Sequence, residues 1–349
     1  MRLLFVILMW SQTSLALADR LVPAKLEEQS PREELRKQLF SDSLSKQGCK
    51  VISKNPGGAV PSDASLTLTL QKLIAAINNN SSDDLLPIFH PQLKVSLRQA
   101  AATLTAISRI SGKGGQASLF RAYAINNATG EALDTICEED GLIIKSLYGH
   151  MLQVAVWIQV QGQDEVSRVY ADLIPSKEKW LIGAWNVQQW THTGKDFSEW
   201  KARADEWSTK KQNVAAWLYY DIAIKLLDGG KFLEFPVSRE IATEQKNMLG
   251  GKSFLETINP KFPGEKIVYA SSLFSRKGAG VLLRFGLEKE WSANAIREHC
   301  RAKFSQLSAE SWMNSTSGLR CDYILPNESP NKEGSLGGMF IDQDVTKSK

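Results

Sequence analysis

A chain of 349 residues with 43% hydrophobic and 23% charged residues is too apolar for a disordered polymer and long enough for two cores. The net charge of +4 is scattered, with bases and acids interleaved as in Lys201-Ala202-Arg203-Ala204-Asp205-Glu206, which leaves no track for a phosphate backbone and excludes nucleic acid as partner. The four cysteines match neither C-x-x-C nor zinc spacing, so no metal and no cofactor is expected.

Residues 1–18, MRLLFVILMWSQTSLALA, have one basic residue, an apolar run from Leu3 to Trp10, and Ala16-Leu17-Ala18 as a small-x-small cleavage site. This is the pattern of a secretory signal, too short and too interrupted to anchor, and predicts a mature chain from Asp19 that is secreted or periplasmic. No later stretch approaches eighteen apolar residues, so no integral membrane segment is expected. Thiols in an oxidising compartment pair. Of three pairings, Cys49 with Cys137 and Cys300 with Cys321 are favoured because each keeps its bridge inside one proposed domain.

From Asp19 to about Ser65 the chain is polar, a short helix over roughly Pro31 to Lys46 and then a loop tied down at Cys49. Leu66, Leu70, Leu73, Ile74 and Ile77 lie on one helical face, which Asn78-Asn79-Asn80 ends. Ser82-Asp83-Asp84 caps a short helix to Phe89. Leu93, Leu97, Ala100, Ala101, Leu104, Ile107 and Ile110 predict a third over Gln92 to Ser111. A strand, Ala117 to Asn126, follows, then a small helix or loop around Glu131 to Asp140 carrying Cys137. Leu152 to Trp190 alternates apolar and polar residues with period two in three runs broken at Gly162-Gln163-Asp164 and Pro175-Ser176-Lys177-Glu178, an antiparallel meander. Its apolar face, Leu152, Val154, Val156, Ile158 and Val160, needs a cover that the preceding helices supply.

Phe197, Trp200, Ala204, Trp207, Val214, Leu218 and Ile222 repeat at three and four, predicting one long helix over Asp196 to Leu227, or two with a break near Lys210-Lys211-Gln212. A helix over Ser238 to Met248 follows. Lys266 to Ser275 and Ala279 to Leu287 form a hairpin, Ser292 caps a helix over Ala293 to Leu307, and Leu319 to Leu325 is a strand, giving a β-β-α-β unit with a bridge from helix to strand. Leu336 to Ile341 could add an edge strand.

Helices first and then a curved antiparallel sheet ending in a Trp-rich strand, with Leu73 to His90 reading LIAAINNNSSDDLLPIFH, resembles the NTF2-like (cystatin-like α+β) superfamily over about residues 65–193. The fold class expected is therefore α+β: an NTF2-like cone of curved antiparallel sheet with amino-terminal helices, a long helix, and a smaller α+β carboxy-terminal domain. The boundaries are 1–18 signal, 19–64 extension, 65–194 NTF2-like domain, 195–230 connecting helix and 231–345 small domain.

Several motifs dissolve on inspection. Gly112-Lys113-Gly114-Gly115-Gln116-Ala117 fits G-x-G-x-x-A but follows a helix and precedes a strand, the reverse of a dinucleotide turn. S-x-x-K occurs five times without an S-D-N partner. His90, His150, His192 and His299 are scattered and read as structural or surface groups.

One constellation carries a hypothesis. On the face of the meander opposite its aliphatic one lie Trp157 and Gln159, Arg168, Tyr170 and Asp172, then Asn186, Gln188 and Trp190; in a curved sheet they converge into a wall suited to a small polar ligand. The resemblance further implies that Asp172 beside Tyr170 could transfer protons, as carboxylate and phenol do in ketosteroid isomerase-like members of that fold. The plainer alternative is a solvated outer face with a weak Arg168 to Asp172 interaction. The expectation is thus an exported binding or protein-interaction module with a small ligand or protein partner; the alternative is a hydrolase or isomerase using Tyr170 and Asp172. A homodimer through the helix from Trp200 to Trp217 is a third reading.

Overall fold

The computed structural model describes residues 32–41, 44, 46–53, 63–112, 114–127, 134–145, 152–325 and 338–343. Residues 1–18, His150 and the polar loop after Leu325 lie outside these. The fold is α+β.

Helix α1 (Arg32–Phe40) leads to strand β1 (Gly48–Ser53), then come α2 (Ala64–Asn78), α3 (Ser82–Leu85) and α4 (Leu97–Ser111). Next are β2 (Gln116–Asn126), β3 (Asp134–Cys137), β4 (Leu142–Lys145) and the meander β5 (Leu152–Gln161), β6 (Val166–Ser176) and β7 (Lys179–Gln189). The later half holds α5 (Phe197–Thr209), α6 (Asn213–Leu226), β8 (Leu233–Glu234), α7 (Pro236–Met248) and α8 (Phe254–Ile258). It ends with β9 (Ile267–Ser275), β10 (Gly278–Gly286), α9 (Ala293–Leu307), β11 (Gly318–Ile324) and β12 (Gly338–Asp342).

The main sheet has five strands in the order β1-β2-β5-β6-β7, every neighbour antiparallel. One face meets the helices as expected: Leu152, Val154, Val156, Ile158 and Val160 share a core with Leu66, Leu70 and Leu73 of α2 and Ala100, Leu104 and Ile107 of α4. Asp63 fastens this layer. One of its carboxyl oxygens caps α2 through the Ser65 and Leu66 amides, and the other accepts the Trp180 indole N–H at 2.8 Å. At the far end the β5–β6 turn lies against the last turn of α4, so close that a Cβ on Gly162 would sit 1.6 Å from the Ser111 carbonyl oxygen. Only glycine fits there.

The other face is also buried. Tyr123, Ile125, Ala155, Trp157, Tyr170, Ile174 and Ala184 share a second core with α5 and α6, with Phe232, Leu233 and Phe235, and with the four-stranded sheet β12-β11-β10-β9. In that sheet β9 and β10 form the expected hairpin, and β11 returns parallel to β10 after α9. A three-stranded sheet, β3-β4-β8, closes one side.

Three expectations are corrected, and a choice left open between two forms is decided. The segment at Cys49 is strand β1, paired antiparallel with β2, because Lys50-Val51-Ile52 extends the sheet at its open edge. Cys137 ends a strand, β3, and only Glu138–Asp140 turns as a 3-10 helix. The third helix begins at Leu97: Lys94 adopts a left-handed conformation (φ 48°), and Ser96 with Gln99 forms a reciprocal capping box. Of the two forms offered for the Trp-rich segment the chain takes two helices, broken at Lys211 (φ 59°).

Both disulfides form as paired from the sequence, Cys49–Cys137 across 88 residues and Cys300–Cys321 across 21. In the chain-entropy account the longer loop gives the larger effect, about 4.5 against about 3.4 kcal/mol. Replacing Cys49 and Cys137 by serine is expected to lower unfolding free energy more than replacing Cys300 and Cys321. Urea unfolding without reductant reads both, and an inverted order would show that native-state contacts dominate.

Candidate functional site

Strand register builds the wall. Across β5, β6 and β7, Trp157 is opposite Tyr170, which is opposite Asn186; Gln159 is opposite Arg168, which is opposite Gln188; and Ala155 is opposite Asp172, which is opposite Ala184. The eight side chains singled out from the sequence, Trp157, Gln159, Arg168, Tyr170, Asp172, Asn186, Gln188 and Trp190, therefore do share one face. That face is not the solvated surface the plainer reading supposed. The chain after α6 folds over it: Gln188 Nε2 donates to the Leu226 carbonyl at 2.5 Å, a Cβ on Gly230 would touch the Asn186 amide at 3.3 Å, and Phe232 stacks on Tyr170.

Two register breaks shape the wall. On β2, Leu119 pairs with Ile158 and Arg121 with Trp157, so Phe120 is the extra residue of a bulge. Leu119 and Ala122 both belong to the helix-facing core, so the bulge turns Phe120 and Arg121 together toward the opposite face. Phe120 then stacks on Trp157 (ring centroids 6.3 Å apart), and Arg121 reaches Asp140 at 2.7 Å. On β7, Asp172 pairs with Ala184 and Leu173 with Ile182, leaving Gly183 as a second bulge beside Asp172.

Arg168 occupies the aromatic end. Its guanidinium carbon lies 3.4 Å from the Trp190 ring centroid, 3.9 Å from Phe120 and 5.3 Å from Trp157. The residue is only 8% exposed, yet its Nε has no hydrogen-bond partner among the described residues, and it forms an ion pair with no described carboxylate. Burial pulls the guanidinium down to about 9, so it remains a cation at neutral pH. The expected interaction with Asp172 is absent for a simple reason: four residues along a strand span about 13 Å. Asp140 is committed to Arg121 and to the Tyr123 hydroxyl (2.8 Å), and Asp196 caps α5.

Asp172 lies at the other end, 2% exposed, with Oδ1 lacking a hydrogen-bond partner among the described residues. Burial alone pushes its carboxyl up to about 8, so it is protonated at neutral pH. Its cross-strand neighbours are two alanines, which offer neither charge nor hydrogen bond. Tyr170, two residues away on the same face, is 3% exposed and covered by Phe232.

The other polar clusters are closed networks. Lys225 is 2.8 Å from Asp221 and donates to Ser271 Oγ at 2.6 Å and Ser272 Oγ at 3.0 Å, while Asp221 also accepts from both serines, tying α6 to β9. Burial pushes the Asp221 carboxyl up, but Lys225 and the serines outweigh it and hold it below the usual range. His192 packs on Trp200 and Phe274, with Nε2 at 3.0 Å from the Gly278 carbonyl, and burial lowers it to about 4. His299 sits between Glu265 and the Tyr323 hydroxyl. His90 accepts the Gln92 amide. Among the described residues no group of three or more side chains is arranged to hold a metal ion. The helical tryptophans face inward: Trp200 is buried, Trp207 packs with Tyr219, and Trp217 stacks on Phe254.

Sequence reasoning missed Phe120, Phe197 and Phe235, which complete the aromatic surround of Trp157 and Trp190. Comparison of the chain with family models, curated proteins and solved structures returned no match.

Proposed function

We propose that this chain is an exported, non-catalytic binding protein that takes its ligand at the aromatic end of the main sheet, against Phe120, Gln159, Arg168 and Trp190. The observation that carries this reading is the buried guanidinium of Arg168, which has aromatic rings around it and no anionic or hydrogen-bonding partner from the described chain. An uncompensated buried charge is costly to a fold, and such groups gather where a ligand completes them. Phe120, Gln159 and Trp190 are half-buried and so keep the place in reach of solvent.

Three helical segments, α2 to α4, followed by the antiparallel strands β2, β5, β6 and β7 support an NTF2-like cone over residues 65–193, a scaffold on which a sheet face is a natural place for a ligand. Two disulfides support the reading of residues 1–18 as an export signal, and no helix among the described residues is long and apolar enough to cross a membrane.

The proposal is tested by native mass spectrometry of the full chain purified from an oxidising compartment, beside Arg168→Gln and Trp190→Ala. The expected result is a bound mass that either substitution removes while both bridges and a cooperative thermal transition persist. A bound mass indifferent to both substitutions would place the ligand elsewhere.

A hydrolase or isomerase using Tyr170 and Asp172 is the second reading, favoured by one observation: the Asp172 carboxyl is raised to about 8, within the range of a general acid at neutral pH. The cover of Phe232 and the alanine neighbours of Asp172 weigh against it, since a reacting group has no approach through them.

A further inference from the structure

We infer that the ligand carries a carboxylate group, which meets the free N–H edge of Arg168, on an organic body that lies along Phe120 and Trp190. The inference rests on the binding role proposed above. Ring centroids lie 3.4 and 3.9 Å from the guanidinium carbon and the unpartnered Nε is buried, so the terminal N–H groups, which make no hydrogen bond to the described residues, are what remains for a ligand. Those groups form a planar fork that matches two oxygens of a carboxylate.

The count of charges selects a monoanion. Arg121, the other cation that acts on Arg168 among the described residues, is spent on Asp140 at 2.7 Å. Asp140 and Asp196 both lie within electrostatic range of Arg168 and oppose further negative charge. Among the described residues that leaves Arg168 as the one uncommitted cation here, which compensates a carboxylate and leaves a phosphate dianion with charge to spare. Gln159, directly across the strand pair from Arg168 and half-buried, donates only a long 3.5 Å hydrogen bond to Gln161 Oε1 and can turn its amide to the oxygens; Gln188, on the other side, is committed to the Leu226 carbonyl. A neutral polar ligand could meet the N–H groups but would bring no charge to face the guanidinium directly. A cationic one would be repelled.

The test titrates the full, oxidised chain with benzoate, benzamide and inorganic phosphate, following intrinsic tryptophan fluorescence and thermal unfolding. A tripeptide ending in phenylalanine, as free acid and as amide, forms a second arm that tells a free acid from a chain end. We expect benzoate to quench fluorescence and raise the midpoint with a dissociation constant of about 1 mM or below. Benzamide should bind at least about tenfold more weakly, because it lacks the charge-assisted pair of hydrogen bonds. Phosphate should bind more weakly than benzoate. In Arg168→Gln the preference for acid over amide should vanish, and Arg168→Lys, with charge but no fork, should retain part of it.

Equal affinity for benzoate and benzamide, tighter binding of phosphate, or no response to benzoate and to the peptide acid would overturn the inference. A neutral molecule found bound in the native mass spectrum and lost on Arg168→Gln would overturn it too, while leaving the binding role standing.

Discussion

Asp172→Asn is expected to stabilise the protein increasingly as pH rises from about 4 to about 8, reaching several kcal/mol at pH 8 and staying there above it. The folded chain holds the Asp172 carboxyl near 8 against an ordinary value of 3.8, so between those values the folded state keeps a proton that the unfolded state has released. Stability falls with pH across that window, at about 1.4 kcal/mol per unit. His192 acts in the opposite sense: held near 4 against 6.5, it leaves the folded state with fewer protons than the unfolded one, and its contribution, complete above 6.5, is lost as pH falls toward 4. From about 4 to 6.5 the two slopes cancel. From 6.5 to 8 only Asp172 acts, and the wild-type chain should lose about 2 kcal/mol. Asparagine, neutral at every pH, removes that loss and exposes the acid-side slope of His192. Urea unfolding at intervals from pH 4 to 9 measures both arms, and a mutant curve parallel to wild type above 6.5 would show that Asp172 is solvated.

Trp180→Ala is expected to cost about 4 kcal/mol, in the range for deletion of a large buried ring. Trp180 is completely buried in the helix-facing core, and its indole N–H also engages the carboxylate that caps α2. Trp180→Phe should keep most of the packing and lose about 1 kcal/mol for that hydrogen bond. Because Asp63 joins cap and ring, Asp63→Ala and Trp180→Phe should be non-additive, the double substitution costing less than the sum of the two. Chemical denaturation of the four proteins of this cycle, with Trp180→Ala as a fifth, checks both; strict additivity would mean that the indole bond carries no energy, and a cost below about 1.5 kcal/mol for Trp180→Ala would mean that the core closes over the gap.

The meander could be read from the chain because period-two alternation survives wherever strands are regular, and β5 is regular from end to end. It failed where regularity failed. Phe120 follows Leu119 with no mark in the sequence of a bulge, so its turn toward Arg168 follows only from the pairing of Leu119 and Arg121 with consecutive residues of β5. The isolation of Asp172 is likewise a property of its partners, Ala155 and Ala184, which come from other strands. Strand β1 is a short apolar run beside prolines and glycines, and becomes a strand because β2 offers it an edge. Some signals were present and passed over: Ser96-x-x-Gln99 marks the start of α4, and Ser253-x-x-Glu256 marks α8, a helix not anticipated at all. The eight wall residues were found together because alternation assigns faces reliably. That the wall is covered could not be found, since the cover, Phe232 to Phe235, is distant in sequence and carries no periodic mark.

A main sheet with both faces buried has a bearing on synthesis. While the chain emerges amino end first, the helices before β2 are available to shield one side of the meander at once, but Tyr123, Trp157, Tyr170 and Ile174 stay bare until α6 and residues 232–235 have followed. For the length of some forty residues the nascent protein is half-clothed and sticky, a target for chaperones in transit and, should translation stop near Thr193, a seed for aggregates.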